Sequence, residues 1–149
     1  MANVPPPSTD SVPAQDDSTS FWKPKTILLI EDEPVVGEVL RLLLESEGYL
    51  VFWAESQEKA ENLWLKNRAT IDLLLTDISL SSRDRGTYLA ERFKKEKPEL
   101  EVIFTSGLPA ELLGPTLFEQ GVNYLQKPIF PRDLWDTVAS KFTKRSAEG

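Results

Sequence analysis

The 149-residue chain contains no cysteine and no histidine, and no apolar run approaches the roughly 18 residues that a membrane span requires. Without cysteine there is no disulfide, no thiolate nucleophile and no zinc–thiolate site, and the chain is compatible with a reducing compartment. Without histidine there is no Ser-His hydrolase, no imidazole zinc site and no imidazole general base, and nothing here can carry a phosphohistidine. Basic residues are also short: 17 against 24 acidic, a formal net charge of −7. Nonspecific binding to nucleic acid or to an anionic membrane needs a basic footprint, so neither partner is expected. The N-terminus is acidic and Pro/Ser-rich, without the apolar central region of a signal peptide. What remains is ordinary globular composition, 40% hydrophobic and 28% charged, in a chain of the right length for one domain.

Residues 1–25 read as a flexible linker or tail. Pro5-Pro6-Pro7, Pro13, Asp16-Asp17 and scattered Ser and Thr cannot bury enough apolar surface to order themselves, although Phe21-Trp22 could pack back onto the domain. From Thr26 the pattern alternates between strand and helix. Thr26 to Ile30 is a continuous apolar run, as a strand covered on both faces should be. Pro34 opens a helix whose apolar stripe is Val36, Val39, Leu40, Leu43 and Leu44, and Gly48 stops it. Tyr49–Ala54 reads as the second strand, and Ser56 caps a helix carrying Ala60, Leu63 and Trp64. Ile71–Thr76 is the third strand, Thr87–Lys97 a helix packing Leu89, Ala90 and Phe93, and Glu101–Thr105 the fourth strand. Pro109–Gln120 has helical spacing but contains Gly114-Pro115, which should shorten or kink it. Asn123–Gln126 is the fifth strand. Pro131–Lys144 is the last helix, with Leu134, Val138 and Phe142 inward.

Five strand–helix units in order imply a parallel α/β sandwich, and right-handed crossovers make it doubly wound. Such folds bind ligands at the carboxyl ends of the strands. The runs that surface there are Glu31-Asp32-Glu33, Asp77, Thr105-Ser106-Gly107 and Lys127-Pro128. On its own, the first run serves equally well as a helix cap or as a metal site, with Glu33 assigned to capping. Asp77 follows a buried strand into a loop of Ser79, Ser81, Ser82, Arg83 and Asp84. A carboxylate there can act as a nucleophile and form an acyl phosphate, or simply cap the loop. Thr105 and Ser106 bring hydroxyls to the same edge, or by themselves simply satisfy turn amides. Lys127 supplies a compact positive charge, and Pro128 permits a cis bond that would aim the lysine inward.

In this order and spacing, Glu31, Asp32, Asp77, Thr105 and Lys127 resemble the receiver domain of two-component response regulators, over about Thr26 to Phe142. The resemblance implies a flavodoxin-like (βα)5 sandwich with strand order 2-1-3-4-5, spanning residues 26–145. It implies that Asp77 is the phosphoacceptor and that Glu31, Asp32, Asp77 and the Ser79 backbone carbonyl hold Mg2+, with Mn2+ as the substitute. Thr105 would hydrogen-bond the phosphoryl oxygen and Lys127 would pair with Asp77 or its phosphate. Tyr124 would be the switch aromatic, filling space that Thr105 vacates and altering the face formed by helix four, strand five and helix five. The donor would be a histidine kinase or histidine phosphotransfer domain. A further protein would read the phosphorylated state, and the setting would be the bacterial cytoplasm, with a parent protein that could itself be membrane-anchored.

The chain departs from the common receiver pattern. Leu80-Ser81 stands where Met-Pro is usual, Gly86 falls one residue late, Ser106 replaces a frequent alanine, and Gly114-Pro115 breaks the fourth helix. These features, with the Pro/Ser-rich segment ahead, look like receivers fused to the C-terminus of hybrid sensor histidine kinases. Met1 then reads as an engineered start, 146–149 as a tail of vector type, and no DNA-binding output domain is expected within the chain. A stand-alone single-domain regulator and a degenerate receiver acting as a phosphorylation-independent binding module are the alternatives. An aspartyl phosphatase would want an acid at Ser79, and a flavin or dinucleotide protein a glycine-rich loop where Glu31-Asp32-Glu33 stands.

Overall fold

The chain is described by a computed structural model over residues 23–80, 85–114 and 116–148. The N-terminal tail with Phe21-Trp22, the loop residues Ser81, Ser82, Arg83 and Asp84, Pro115 and Gly149 lie outside the described residues. The elements are β1 (Thr26–Ile30), α1 (Pro34–Ser46), β2 (Leu50–Ala54), α2 (Gln57–Asn67), β3 (Leu73–Asp77), α3 (Arg85–Glu96), β4 (Glu101–Ser106), α4 (Ala110–Leu113), β5 (Tyr124–Gln126) and α5 (Pro131–Glu148). All strand pairs are parallel and the sheet order is β2-β1-β3-β4-β5. This is the flavodoxin-like doubly wound sandwich that the strand–helix alternation implies.

The period of two along a strand divides the apolar runs between two cores. Leu28, Ile30 and Leu74 face α2 and α3, where they meet Ala60, Trp64, Leu89 and Phe93. Ile27, Leu29, Leu73 and Leu75 face α1 and α5, where they meet Leu40, Leu44, Leu134 and Val138. Fully burying each such side chain contributes about 1.5–3 kcal/mol, so the central strands β1 and β3 anchor both layers. Trp64 stacks on Phe93 with ring centroids 4.3 Å apart, and its indole N–H donates to Glu96 Oε1 at 2.8 Å, which satisfies its one polar atom.

Helix ends follow their residues. Pro34 occupies the first turn of α1, Gly48 adopts φ 93° just past its end, and Ser56 Oγ accepts the Lys59 N–H at 3.2 Å. Lys97 Nζ donates to the carbonyls of Arg68 and Ile71, tying the α2 exit to the end of α3. Glu33 does not cap α1 with its side chain; its own N–H is instead bound by Glu31 Oε2 at 3.1 Å.

Several features differ from the sequence expectation. Val39 is 48% exposed, because the inward arc of α1 is set by Gly37, Leu40 and Leu44. β3 extends one residue to include Asp77, which pairs in register with Thr105. α4 retains only four residues, ending at Gly114 with φ 143°, a conformation natural to glycine. The following segment covers β4 and β5 with Phe118, whose ring lies 5.3 Å from Phe104 and 5.6 Å from Tyr124. Finally, α5 continues to Glu148, past the expected 144–145 end. Among the described residues no helix is long and apolar enough to cross a membrane.

Candidate functional site

Because every strand runs the same way, the residues at the carboxyl ends of β1, β3, β4 and β5 meet at one edge. β1 leads into Glu31 and Asp32, β3 ends in Asp77, β4 carries Thr105, and β5 is followed by Lys127. Lys127 Nζ lies 2.8 Å from Asp77 Oδ2 and 3.0 Å from Glu31 Oε1. The Lys127 backbone is anchored by its N–H to the Ser106 carbonyl at 2.8 Å, and the Lys127-Pro128 bond is cis. Asp77 is buried, with 6% of its surface exposed. Its Oδ1 accepts the Ser79 N–H at 3.0 Å. The contact Ser79 makes with the site is thus through its amide, while its side chain faces solvent.

Glu31 is completely buried. Burial pushes its carboxyl above the ordinary glutamate value of 4.5, and the nearby Lys127 only partly offsets this. Lys127 is itself held above its usual range. Burial alone would lower it, but the hydrogen bond to Asp77 and the negative charges of Asp77 and Glu31 outweigh that cost. Although Lys127 is 3.0 Å away, no hydrogen bond of acceptable geometry reaches the buried Glu31 Oε1. Lys127 is thus its ion-pair partner, and the oxygen keeps lone pairs that no hydrogen bond uses, free to take a further positive group. One oxygen each from Glu31, Asp32 and Asp77 lies within 4.8 Å of the others, an all-oxygen set suited to a hard divalent ion such as Mg2+.

The sign of the Glu31 shift has a measurable consequence. An acid whose folded value is raised destabilises the fold once ionised, so stability falls as pH climbs from 4.5 through the folded value. In EDTA, Glu31→Gln is therefore expected to be more stable than wild type to urea at neutral pH. The advantage should vanish below the ordinary glutamate range, where Glu31 is already neutral. Equal stability of the two proteins at neutral pH would contradict the burial reading.

Thr105 is buried opposite Asp77 and its carbonyl accepts the Ile78 N–H at 2.9 Å. Tyr124 is already fully buried, packed against Phe118, with its hydroxyl donating to the Leu108 carbonyl. Burial raises its hydroxyl above the usual tyrosine range. The ring therefore already occupies the interior that it was expected to enter on switching.

Two residues to which the sequence reading gave no role in the site shape the edge. Gly86 donates its N–H to Ile78 at 3.1 Å, and a Cβ there would collide with the Asp77 carbonyl oxygen and lie 2.8 Å from its carbon. Since backbone atoms cannot step aside as a side-chain tip can, Gly86→Ala is expected to cost about 1–3 kcal/mol in urea unfolding. Wild-type stability in that variant would show that the turn after Asp77 is not closed this tightly. Trp53, at the end of β2, donates its indole N–H to the Glu31 carbonyl at 3.0 Å. The signal for it was available: an aromatic with a polar tip on the strand beside β1, opposite a glycine in a helix interior.

Comparison with known proteins meets this geometry. The family model for the response regulator receiver domain matches residues 27–139. The transcriptional regulatory protein GlrR of Escherichia coli (strain K12) is 33% identical over 117 residues, 78% of this chain but 26% of that protein, so the match spans about a quarter of that relative's length. The crystal structure of the receiver domain from the hybrid histidine kinase CckA is 33% identical with a TM-score of 0.64, covering 78% of this chain and 97% of that one. The CheY-like receiver domain protein of Methanospirillum hungatei JF-1 is 26% identical with a TM-score of 0.71, covering 85% of this chain and 100% of that one. With the family model falling on the strands that gather the acids and the lysine at one edge, the chain belongs to the response regulator receiver domain family.

Proposed function

We propose that this domain accepts a phosphoryl group on Asp77 from a phosphohistidine of a histidine kinase or histidine phosphotransfer domain. The observation that carries the reading is the single contact set at Asp77: one carboxylate oxygen held by the Ser79 amide, the other by Lys127, beside a buried Glu31 oxygen that is ion-paired but accepts no hydrogen bond. In the transfer, an Asp77 carboxylate oxygen attacks phosphorus and the phosphorus–nitrogen bond to the donor imidazole breaks. The bonding pair leaves on that nitrogen, which takes a proton, and an acyl phosphate forms on Asp77. Lys127 is placed to turn from the carboxylate to the new phosphoryl oxygens, and Thr105, in register with Asp77, is placed to donate its hydroxyl to one of them. Glu31, Asp32, Asp77 and the Ser79 carbonyl would hold Mg2+, which when bound neutralises charge building on the phosphoryl oxygens.

In this reading the output follows from the β4–α4 connection. Drawing Thr105 toward a phosphate shifts Ser106 to Leu108, and Leu108 is the acceptor of the Tyr124 hydroxyl, so the α4–β5–α5 face changes through that tether. The resemblance to the CckA receiver supports a place at the C-terminus of a hybrid sensor kinase in the cytoplasm, with a further protein as the reader. Incubation with acetyl phosphate, with Mg2+ or with EDTA, tests the reading by intact mass after rapid quenching. One added phosphoryl group in Mg2+ and none in EDTA is expected. No addition in either, with the protein folded, would leave a phosphorylation-independent binding module.

A further inference from the structure

We infer that Trp53 is a positioning residue for the cation site, acting through the peptide that joins Glu31 to Asp32; the inference rests on the reading of those acids as cation ligands. The Glu31 carbonyl that accepts the Trp53 indole N–H at 3.0 Å belongs to the planar unit linking the two acids. Its orientation therefore sets where both carboxylates start. The Glu31 N–H is fixed by the same strand, donating to the Ala54 carbonyl at 3.1 Å. β2 thus holds Glu31 from both sides, once by backbone and once by a side chain. Without the indole donor this carbonyl loses a partner beside a fully buried residue, and the Glu31–Asp32 peptide is free to rotate.

A second observation concerns the seat of the ring. Gly37 sits in the interior of α1, where glycine costs about 1 kcal/mol relative to alanine. A Cβ at Gly37 would lie 2.6 Å from Trp53 Nε1 and closer still to Cε2 and Cζ2. The helix gives up propensity where the indole edge needs the room, so the ring is clamped between α1 and the acidic turn. Neighbours that orient a metal ligand commonly matter about 10- to 100-fold in affinity.

The test is Mg2+ affinity measured by isothermal titration calorimetry on wild type, Trp53→Phe, and a protein carrying 3-benzothienylalanine at position 53, which keeps the ring's shape but has no N–H. Both substitutions are expected to weaken Mg2+ binding about 10-fold, the low end for such neighbours. The half-saturating Mg2+ for labelling by acetyl phosphate should rise in step, while the rate at saturating Mg2+ stays at the wild-type level. A role in packing alone would weaken only the phenylalanine variant, so wild-type affinity in the benzothienyl protein would overturn the inference. Wild-type protein that binds no Mg2+ would overturn the cation reading and this inference together, and that result is visible before any variant is made.

Discussion

Asp77→Asn is expected to abolish Mg2+-dependent phosphoryl uptake from acetyl phosphate, with no residual labelling in intact mass. The chemistry permits no substitute at this edge. Asparagine has the shape of aspartate but its amide oxygen is a poor nucleophile and carries no charge for Lys127, which lies 2.8 Å from the native carboxylate. Glu31 is enclosed and has one oxygen bound to the Glu33 amide, so it is not presented to a donor. Among the described residues, Asp32 is the third acid of the cluster, and its place in the ligand set would commit it to the ion. Mg2+ affinity should fall in the same variant, because one of three carboxylates is lost. Labelling of Asp77→Asn at the wild-type extent would mean that the acceptor lies elsewhere.

Lys127→Met is expected to lower stability in EDTA by about 2–4 kcal/mol, read from urea unfolding. Removing one partner of a buried ion pair costs about 3–5 kcal/mol because the remaining charge has no counterion. The lysine side chain is 19% exposed, so the lower end of that range is appropriate. Two acids, not one, would be left facing each other, with side chains 1% and 8% exposed. The deficit should narrow as pH falls, since Glu31 holds a raised value and is neutralised early. It should also narrow in Mg2+, because two acids without their lysine gain more from a shared dication than the wild-type site, where Lys127 already neutralises them, does. Stability equal to wild type in EDTA, or a deficit that Mg2+ leaves unchanged, would contradict the placement of this lysine as the site's internal counterion.

Much of this was legible in the sequence for identifiable reasons. The strand order follows because continuous apolar runs, each followed by a helix, leave few topologies, and parallel strands bring their carboxyl ends to one edge. Asp77 and Lys127 could be placed at this edge because each directly ends a buried run, so chain direction alone fixes where they emerge. Other features depend on contacts across elements, which local pattern does not encode. Glu31 looked half cap and half ligand, and only the enclosed position beneath Lys127 separates these; it turns out to bind an amide at the α1 start and to face the site at once. The break at Gly114 was visible, but not that α4 would stop at four residues while Phe118 takes over the cover of Phe104 and Tyr124. Val39 fits a helical stripe and still faces out, because Gly37 rather than Val39 meets the sheet through Trp53.

The most direct test of Asp77 as the acceptor is chemical trapping. Wild-type protein is labelled with acetyl phosphate in Mg2+, reduced with borohydride, and mapped by peptide mass spectrometry. An acyl phosphate on an aspartate is reduced to homoserine, so homoserine at position 77 and at no other acid is the expected result. Homoserine at Asp32 or another acid, or labelled protein that yields none, would contradict the assignment.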